Sequence, residues 1–274
     1  MSRWINPSTP PAAHRETARA SFHSVAALYD EARPGYPHQA FDDLVTLTKL
    51  TSGSHLLEIG SGTGHATLPL AEHGFHIDCI ELGEEMAFVA RAKLAAFPRV
   101  TITVADFDNW HSEARYDLAL SASAWHWLNP ATRTPRIAEL LAHQGRIATL
   151  RNIHVQSDAI AAFLEATQRI YAELVPALAQ EGIPRAEEIF PIDAHEWESS
   201  GLFHNAQTRT YRWQSKQSAE EYVQMLNTHS DHRMMAADVR EQLFARLREL
   251  IEGKFSGVAT KEYVTLLQMA EKAI

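Results

Sequence analysis

The stretch LLEIGSGTGHATLPL, residues 56–70, runs from an apolar segment of strand character into three alternating glycines and then into a segment of helical character. Glycine at such a turn takes positive φ at no steric cost and lets the backbone approach a ligand that any Cβ would displace. In an open α/β sheet the ligand lies beyond the carboxyl ends of the strands, framed by the first strand-to-helix turn. The spacing separates the candidate ligands. A dinucleotide fingerprint needs G-x-G-x-x-G/A, and the third position is His65 counted from Gly60 and Thr67 counted from Gly62. A P-loop needs a Gly-Lys-Ser/Thr that does not follow. The residues leave two readings of the turn: a binding loop for a ligand held without a phosphate frame, or a plain connector.

Outward from the turn, strand and helix signals alternate. HLLEIG (55–60), FHIDCIEL (75–82), VTITVADF (100–107), YDLALSAS (116–123) and RIATLRN (146–152) read as five strands; HATLPLAEHG, EEMAFVARAKLAAF and TPRIAELLAHQG read as the helices between them. Such alternation predicts a buried parallel sheet with right-handed crossovers and helices on both faces. Upstream, residues 17–50 read as two helical pieces bent at RPGYP, after a proline-rich start. Downstream, residues 155–200 read as a helical insertion, with a long helix followed by an irregular stretch. NAQTRTYRWQ then reads as a strand, SAEEYVQMLNTHS and VREQLFARLRELIEG as helices, and EYVTLLQMA (262–270) as either a last strand or a short helix. The expected organisation is an N-terminal helical cap (1–50), a cofactor-binding core (51–154), the insertion (155–200) and a segment that completes sheet and pocket (201–274).

Composition narrows the partners. In 274 residues, 25 Lys plus Arg against 34 Asp plus Glu leave a formal charge of -9, which disfavours broad electrostatic binding to nucleic acid or an anionic membrane. The single cysteine, Cys79, excludes an internal disulfide and a multi-cysteine metal site, and fits a reducing compartment. The first twenty residues lack the apolar core of a signal peptide, and no apolar run reaches the length of a membrane span. The expectation is a cytoplasmic protein. Two acids extend the glycine turn into a candidate crevice. Glu81 ends the second strand, where a Rossmann-type sheet places a carboxylate on ribose hydroxyls; an ordinary strand-end acid is the alternative. Asp106, beside Phe107, ends the third strand, where it suits an adenine amino group or equally a turn cap.

With these elements in order, the chain resembles the class I S-adenosylmethionine-dependent methyltransferases. LLEIGSGTGHAT is similar to the first motif of that superfamily, IDCIEL to its ribose-binding strand, VADF to its adenine-binding turn, and YDLALSASAWHWL to its fourth strand with the following loop. The resemblance implies a Rossmann-like, seven-stranded, mostly parallel sheet whose last strand is antiparallel, so that EYVTLLQMA becomes that strand. It implies S-adenosyl-L-methionine as cofactor and S-adenosyl-L-homocysteine as product. It places Glu58, Gly60, Gly62 and Gly64 at the methionine end, Glu81 on the ribose, Asp106, Phe107 and Leu82 at the adenine, and Ser121 in the wall near the methionine. FHSVAALYDEARPGYP is similar to the cap of small-molecule methyltransferases of the trans-aconitate and biosynthetic groups, which makes Tyr29 and Arg33 candidates near the cofactor carboxylate; core packing and a helix cap are the alternatives. Gly83 stands where relatives usually carry serine.

A sulfonium is an activated methyl donor, so the protein has mainly to align a nucleophile and exclude water. A protonated nucleophile also needs a base, and histidines are the candidates. His126 follows the fourth strand and is the first catalytic candidate, with loop packing as its alternative. His229 and His232 form a second set, whose spacing resembles a metal pair without a clear third or fourth ligand, so no metal is expected. Trp125, Trp127, Trp197, Tyr36 and Tyr222 are either pocket walls or core. An Asn-Pro-Pro-Tyr signature is missing after the fourth strand, and the three spaced cysteines of arsenic methylation are missing too. What remains is a small molecule methylated on O, N or C, with no nucleic-acid or membrane partner. A catalytically silent module that binds the same cofactor, or an NAD(P)-dependent oxidoreductase, are the competing functions.

Overall fold

The computed structural model describes residues 26–179 and 182–273. The part of the cap before Ala26, including Phe22 to Ser24 of the resembling segment, lies outside the described residues. Two short helices come first, α1 (Ala26–Ala32) and α2 (His38–Leu47), and the prolines of RPGYP force the bend between them. Then follow β1 (His55–Ile59), α3 (Thr67–Glu72), β2 (His76–Glu81), α4 (Glu84–Lys93), β3 (Val100–Val104) and β4 (Tyr116–Ala122). A single 3₁₀ turn (Trp125–Trp127) leads to α5 (Arg133–Leu140) and β5 (Leu141–Val155). The remainder contains α6 (Ala161–Leu174), α7 (Ile192–Ser199), β6 (Phe203–Ser218), α8 (Ala219–Asn227), α9 (Ser230–Arg233), α10 (Ala237–Lys254) and β7 (Val258–Lys272).

The seven strands form one sheet in the order β3-β2-β1-β4-β5-β7-β6. β1 to β5 pair in parallel, and β7 runs antiparallel between β5 and β6. The segment that periodicity left open is therefore a strand. Its residues from Tyr263 to Ala270 are all but fully buried, so no alternation marks them out from a buried helix. One predicted helix ends early: α5 stops at Leu140 because Leu141 already pairs with Tyr116 as the first residue of β5.

Two apolar layers flank the sheet. On one face Phe41 and Leu44 of α2, Leu70 of α3 and Ala90 of α4 pack on Leu56, Ile77, Leu118 and Leu150. On the other face Ile137 of α5 and Trp197 of α7 pack on Leu57, Ile80, Ala119 and Ile147. The partition follows from strand geometry, since successive residues such as Leu56 and Leu57 point to opposite faces. A third cluster is mostly helical: Phe163, Ile170 and Tyr171 of α6 pack on Tyr222 and Leu226 of α8 and on Leu243, Leu247 and Ile251 of α10, with Ala259 of β7 beneath. The helix after β5 thus joins two helices inserted between β6 and β7 to build one cover over the strand ends.

Helix α7 lies in the part of the expected insertion read as irregular. It is short and carries few apolar residues, yet its position on the sheet is fixed by buried polar contacts. Asp193 accepts hydrogen bonds from Thr149 Oγ1 (2.9 Å) and Gln268 Nε2 (3.0 Å), and Gln268 Oε1 accepts from the backbone N–H of Ala194 (3.0 Å). Arg133 of α5 pairs with Glu196 on the outer turn. Among the described residues no helix is long and apolar enough to cross a membrane.

Candidate cofactor and acceptor site

The strand order reverses between β1 and β4, and the crevice beyond their carboxyl ends is where an open α/β sheet binds its ligand. Here the crevice has two lobes. They share Tyr29, Gly60, Gly62, Ala122 and Ser123, so they form one continuous groove.

The glycine turn divides the lobes. Gly60, Gly62 and Gly64 all have positive φ (+72°, +57° and +85°). At Gly60 a Cβ would stand 2.5 Å from Ala124 Cβ, which locks this turn against the loop after β4. Gly62 has open space on its Cβ side, where a ligand can reach the backbone. Glu81 braces the same turn. Its Oε2 accepts from Gly62 N–H and its Oε1 from Gly83 N–H, both at 2.7 Å. A carboxylate offers about four lone-pair sites, so two remain for hydroxyl donors.

The first lobe is lined by Ile80, Glu81, Leu82, Met86, Phe107 and Trp127. Phe107 is buried, with the Arg136 guanidinium 5.3 Å from its ring centroid. Leu82 is more exposed, at 37%. Apolar side chains above and below with one carboxylate at the rim suit a nucleoside. Asp106 is close by but does not line the lobe. Its carboxylate caps its own turn, accepting from Asp108 N–H (3.3 Å) and Asn109 Nδ2 (3.1 Å). Ser121 also departs from its expected place: it is buried, and its hydroxyl donates to Ile59 O across the β4–β1 pair (3.2 Å). Ser123, two residues on, lines both lobes instead. Ser123 has φ of +54°, and its Oγ lies 2.8 Å from Tyr36 Oη. A non-glycine residue in that conformation costs about 1–3 kcal/mol, so the surrounding contacts hold Ser123 there.

The second lobe contains Glu58, which is 1% exposed. Neither of its carboxylate oxygens has a well-formed hydrogen-bond partner, although Thr67 lies alongside. Burial raises its pKa to about 8, an effect that Thr67 partly offsets and the nearby Glu81 reinforces. An orphaned buried carboxyl facing a cavity suits an ammonium group. Tyr29 lines both lobes, and the Arg33 guanidinium sits 5.2 Å from its ring centroid. Arg33 lines the second lobe while donating to Thr228 Oγ1 (2.7 Å) and Thr228 O (3.2 Å). It therefore ties α1 to the end of α8 and keeps a positive charge at the groove.

His126 stands apart. It lines neither lobe, and its Nδ1 is buried without a hydrogen-bond partner. Burial lowers its pKa to about 3, with Arg151 and Arg133 adding to the effect, so it is a weak base in the wrong place. Of the aromatic candidates, Trp127 and Tyr36 line the groove. Trp125, Trp197 and Tyr222 are core; Trp125 and Trp197 meet edge to face at 5.7 Å.

The groove also contains residues that the sequence reading passed over: Asn152, His154, Lys261 and Tyr263 from β5 and β7, and Met225 from α8. Their signal was a polar residue inside an otherwise apolar strand, as in RNIHV and ATKEYV. His229 is there as well, its Nε2 3.3 Å from Met225 Sδ. His232 is turned away into a relay, with Nδ1 2.7 Å from Asp231 Oδ1 and Nε2 2.6 Å from Tyr171 Oη. Ligand atoms of His229, Asp231 and His232 lie within 4.8 Å of one another, close enough for a metal ion. Both nitrogens of His232 are already engaged, however, and Arg33 lies near enough to influence both His229 and Asp231, which disfavours a cation.

The methyltransferase domain family matches residues 56–145, which hold the glycine turn, Glu81, Phe107 and the loop after β4. An uncharacterized methyltransferase of Mycobacterium tuberculosis is 31% identical over 138 residues, covering 50% of this chain and 54% of that protein. The chain thus spans about half the length of this relative. An uncharacterized methyltransferase of Bacillus thuringiensis is 30% identical over 173 residues, covering 62% of this chain and 78% of that protein. In fold, the chain is similar to phosphoethanolamine N-methyltransferase 2 of Haemonchus contortus, solved in complex with S-adenosyl-L-methionine, at 16% identity and a TM-score of 0.51 over 93% of this chain and 57% of that one. With the sheet order, the braced glycine turn and these relatives together, the chain belongs to the class I S-adenosylmethionine-dependent methyltransferases.

Proposed function

We propose that the protein is an enzyme that transfers a methyl group from S-adenosyl-L-methionine to an oxygen, nitrogen or carbon nucleophile of a small molecule, releasing S-adenosyl-L-homocysteine. The observation that carries this reading is the two-lobed groove: an apolar lobe with one rim carboxylate joins a polar lobe through the glycine turn. The residues fit the cofactor at each end. Glu81 retains lone pairs for ribose hydroxyls, Phe107 and Leu82 flank the base, and the unpaired Glu58 suits the amino group. Arg33 and Tyr29 stand where the carboxylate of the amino-acid end would lie.

When bound, the cofactor supplies a sulfonium-activated methyl group. The chain's own residues then position and shield. Tyr36 and Ser123, hydrogen-bonded to each other, form the waist between the lobes. The helical cover of α6, α8 and α10 keeps bulk water from the second lobe, which favours transfer over hydrolysis. His154 and His229 line that lobe as uncharged imidazoles. Burial lowers the pKa of both well below the ordinary value; Lys261 adds to this at His154, and Arg33 followed by Lys261 adds to it at His229. His229 can take a hydrogen bond from a nucleophile, the place that His126 does not occupy. A cytoplasmic setting and the lack of a nucleic-acid partner fit the charge of -9 and the buried free thiol of Cys79.

Isothermal titration with S-adenosylmethionine, S-adenosylhomocysteine and NAD tests the reading. Binding of the two adenosyl ligands alone supports it; binding of NAD alone overturns it. Binding without turnover across a broad acceptor panel supports the silent module instead.

A further inference from the structure

The geometry points to a subsite for an anionic oxygen group of the methyl acceptor, formed by the Lys261 ammonium and His154 Nε2 in the second lobe. The inference rests on the methyltransferase reading above and adds the charge class of its acceptor.

Lys261 is only 6% exposed, and no carboxylate of the described residues lies within ion-pair distance of it. Its Nζ instead sits 5.9 Å from the ring centroid of Tyr222 and 5.4 Å from that of Tyr263. Cation–π contacts offset part of the cost of burying an ammonium but leave its charge uncompensated. His154 faces Tyr263 directly in the antiparallel β5–β7 register, and Lys261 is two residues before Tyr263, on the same face of the sheet. His154 Nε2 is buried and has no hydrogen-bond partner. Two donors, one charged and one neutral, are therefore unpaired on one wall of one cavity. An anion between them satisfies both.

The rest of the lobe carries the same polarity. Arg33 adds a second cation, and His229 an uncharged imidazole. The one acid in the lining is Glu58, beside the glycine turn at the cofactor end. A cationic acceptor would meet Lys261 and Arg33 with no counter-charge on that side. A carboxylate or phosphate docked there leaves the remainder of the acceptor free to reach toward Ser123 and Tyr36, which line both the lobe and the passage to the cofactor.

The test uses the full chain saturated with S-adenosylhomocysteine, titrated with benzoate, succinate, phenyl phosphate and inorganic phosphate, and with benzamide and succinamide as uncharged partners. The expected result is binding of an anion but not of its amide, weakened about tenfold or more in Lys261→Met and restored in Lys261→Arg. Lys261→Met keeps the apolar stem on the tyrosines, and its unchanged affinity for S-adenosylhomocysteine certifies the fold. Preference for benzoate and succinate identifies a carboxylate acceptor; preference for the phosphates identifies a phosphorylated one. Equal binding of acid and amide, no binding of any anion, or anion binding that Lys261→Met leaves intact overturns the subsite. Failure of S-adenosylhomocysteine itself to bind the wild type is seen separately and overturns the cofactor reading.

Discussion

Two carboxylates beside the same glycine turn differ in their electrostatics. Glu81 is half-buried and holds two backbone N–H groups, so it braces the glycine turn while keeping lone pairs open to the groove. Glu81→Ala removes a charged acceptor, whose hydrogen bonds are worth about 1.5–3 kcal/mol, so S-adenosylmethionine affinity is expected to fall about 10- to 100-fold with the fold intact. Normal affinity in a folded variant would show that the ribose lies elsewhere. Glu58 titrates in the neutral range because it is buried. Its folded pKa of about 8 lies above the ordinary value of 4.5, so the native state keeps a proton that the unfolded chain gives up between those values. Stability of the ligand-free protein therefore falls as pH rises through that window and levels off above it. Denaturant midpoints at pH 5 and pH 8 should show that slope in the wild type and a smaller one in Glu58→Gln. A cationic amino group favours the charged carboxylate. Cofactor binding at pH 7 should thus release up to about one proton, read by calorimetry in buffers of different ionisation enthalpy, and Glu58→Gln should abolish the release.

At the scale of elements, the site depends on pieces that do not touch the ligand. The loop after β4 is held against the glycine turn by the approach of Gly60 to Ala124, and its 3₁₀ turn is anchored from behind by Trp125 against Trp197 of α7. Arg133 extends this anchor, donating to Trp125 O (2.9 Å) and to Glu196 Oε1 (2.9 Å). Trp197 is fully buried, and a buried tryptophan cut to alanine costs about 3–5 kcal/mol. Trp197→Ala is expected to lower the thermal midpoint sharply, and to weaken cofactor binding through the loop that carries Ser123. A small change in midpoint would mean that α7 is not part of the sheet's core layer.

Over the whole molecule, the sheet carries the glycine turn and the first lobe, and the helical cover borders the second lobe. The cover draws on two distant chain segments, α6 and the helices between β6 and β7, joined by their shared apolar cluster and by the Tyr171–His232 bond. α1 closes the other side, with Asp30 paired to Lys93 of α4 and Arg33 reaching Thr228. Replacing residues 155–200 by the equivalent segment of a relative should change acceptor choice more than cofactor affinity, as compared by turnover panels and S-adenosylhomocysteine titrations. A larger loss of cofactor affinity would place the acceptor wall elsewhere, and the contacts of α7 with the sheet make residues 155–191 the cleaner exchange.

The glycine turn, Glu58, Glu81, Phe107 and the sequence of strands were legible in the chain because each is a local pattern: a strand end, a turn that only glycine accommodates, an acid at a set distance. The parallel core follows from such patterns alone. Their limits are equally physical. Asp106 and Ser121 occupy motif positions, but where a side chain hydrogen-bonds is settled by neighbours in space, and both turn to backbone or loop partners. EYVTLLQMA is buried on both faces and so shows no period, and only its pairing between β5 and β6 makes it a strand. His154 and Lys261 are more than a hundred residues apart, and it is the antiparallel register of β5 with β7 that brings two unpaired donors to one wall. Local chemistry thus specified the glycine turn and its flanking carboxylates, and long-range strand pairing and helix packing decided the far wall of the second lobe.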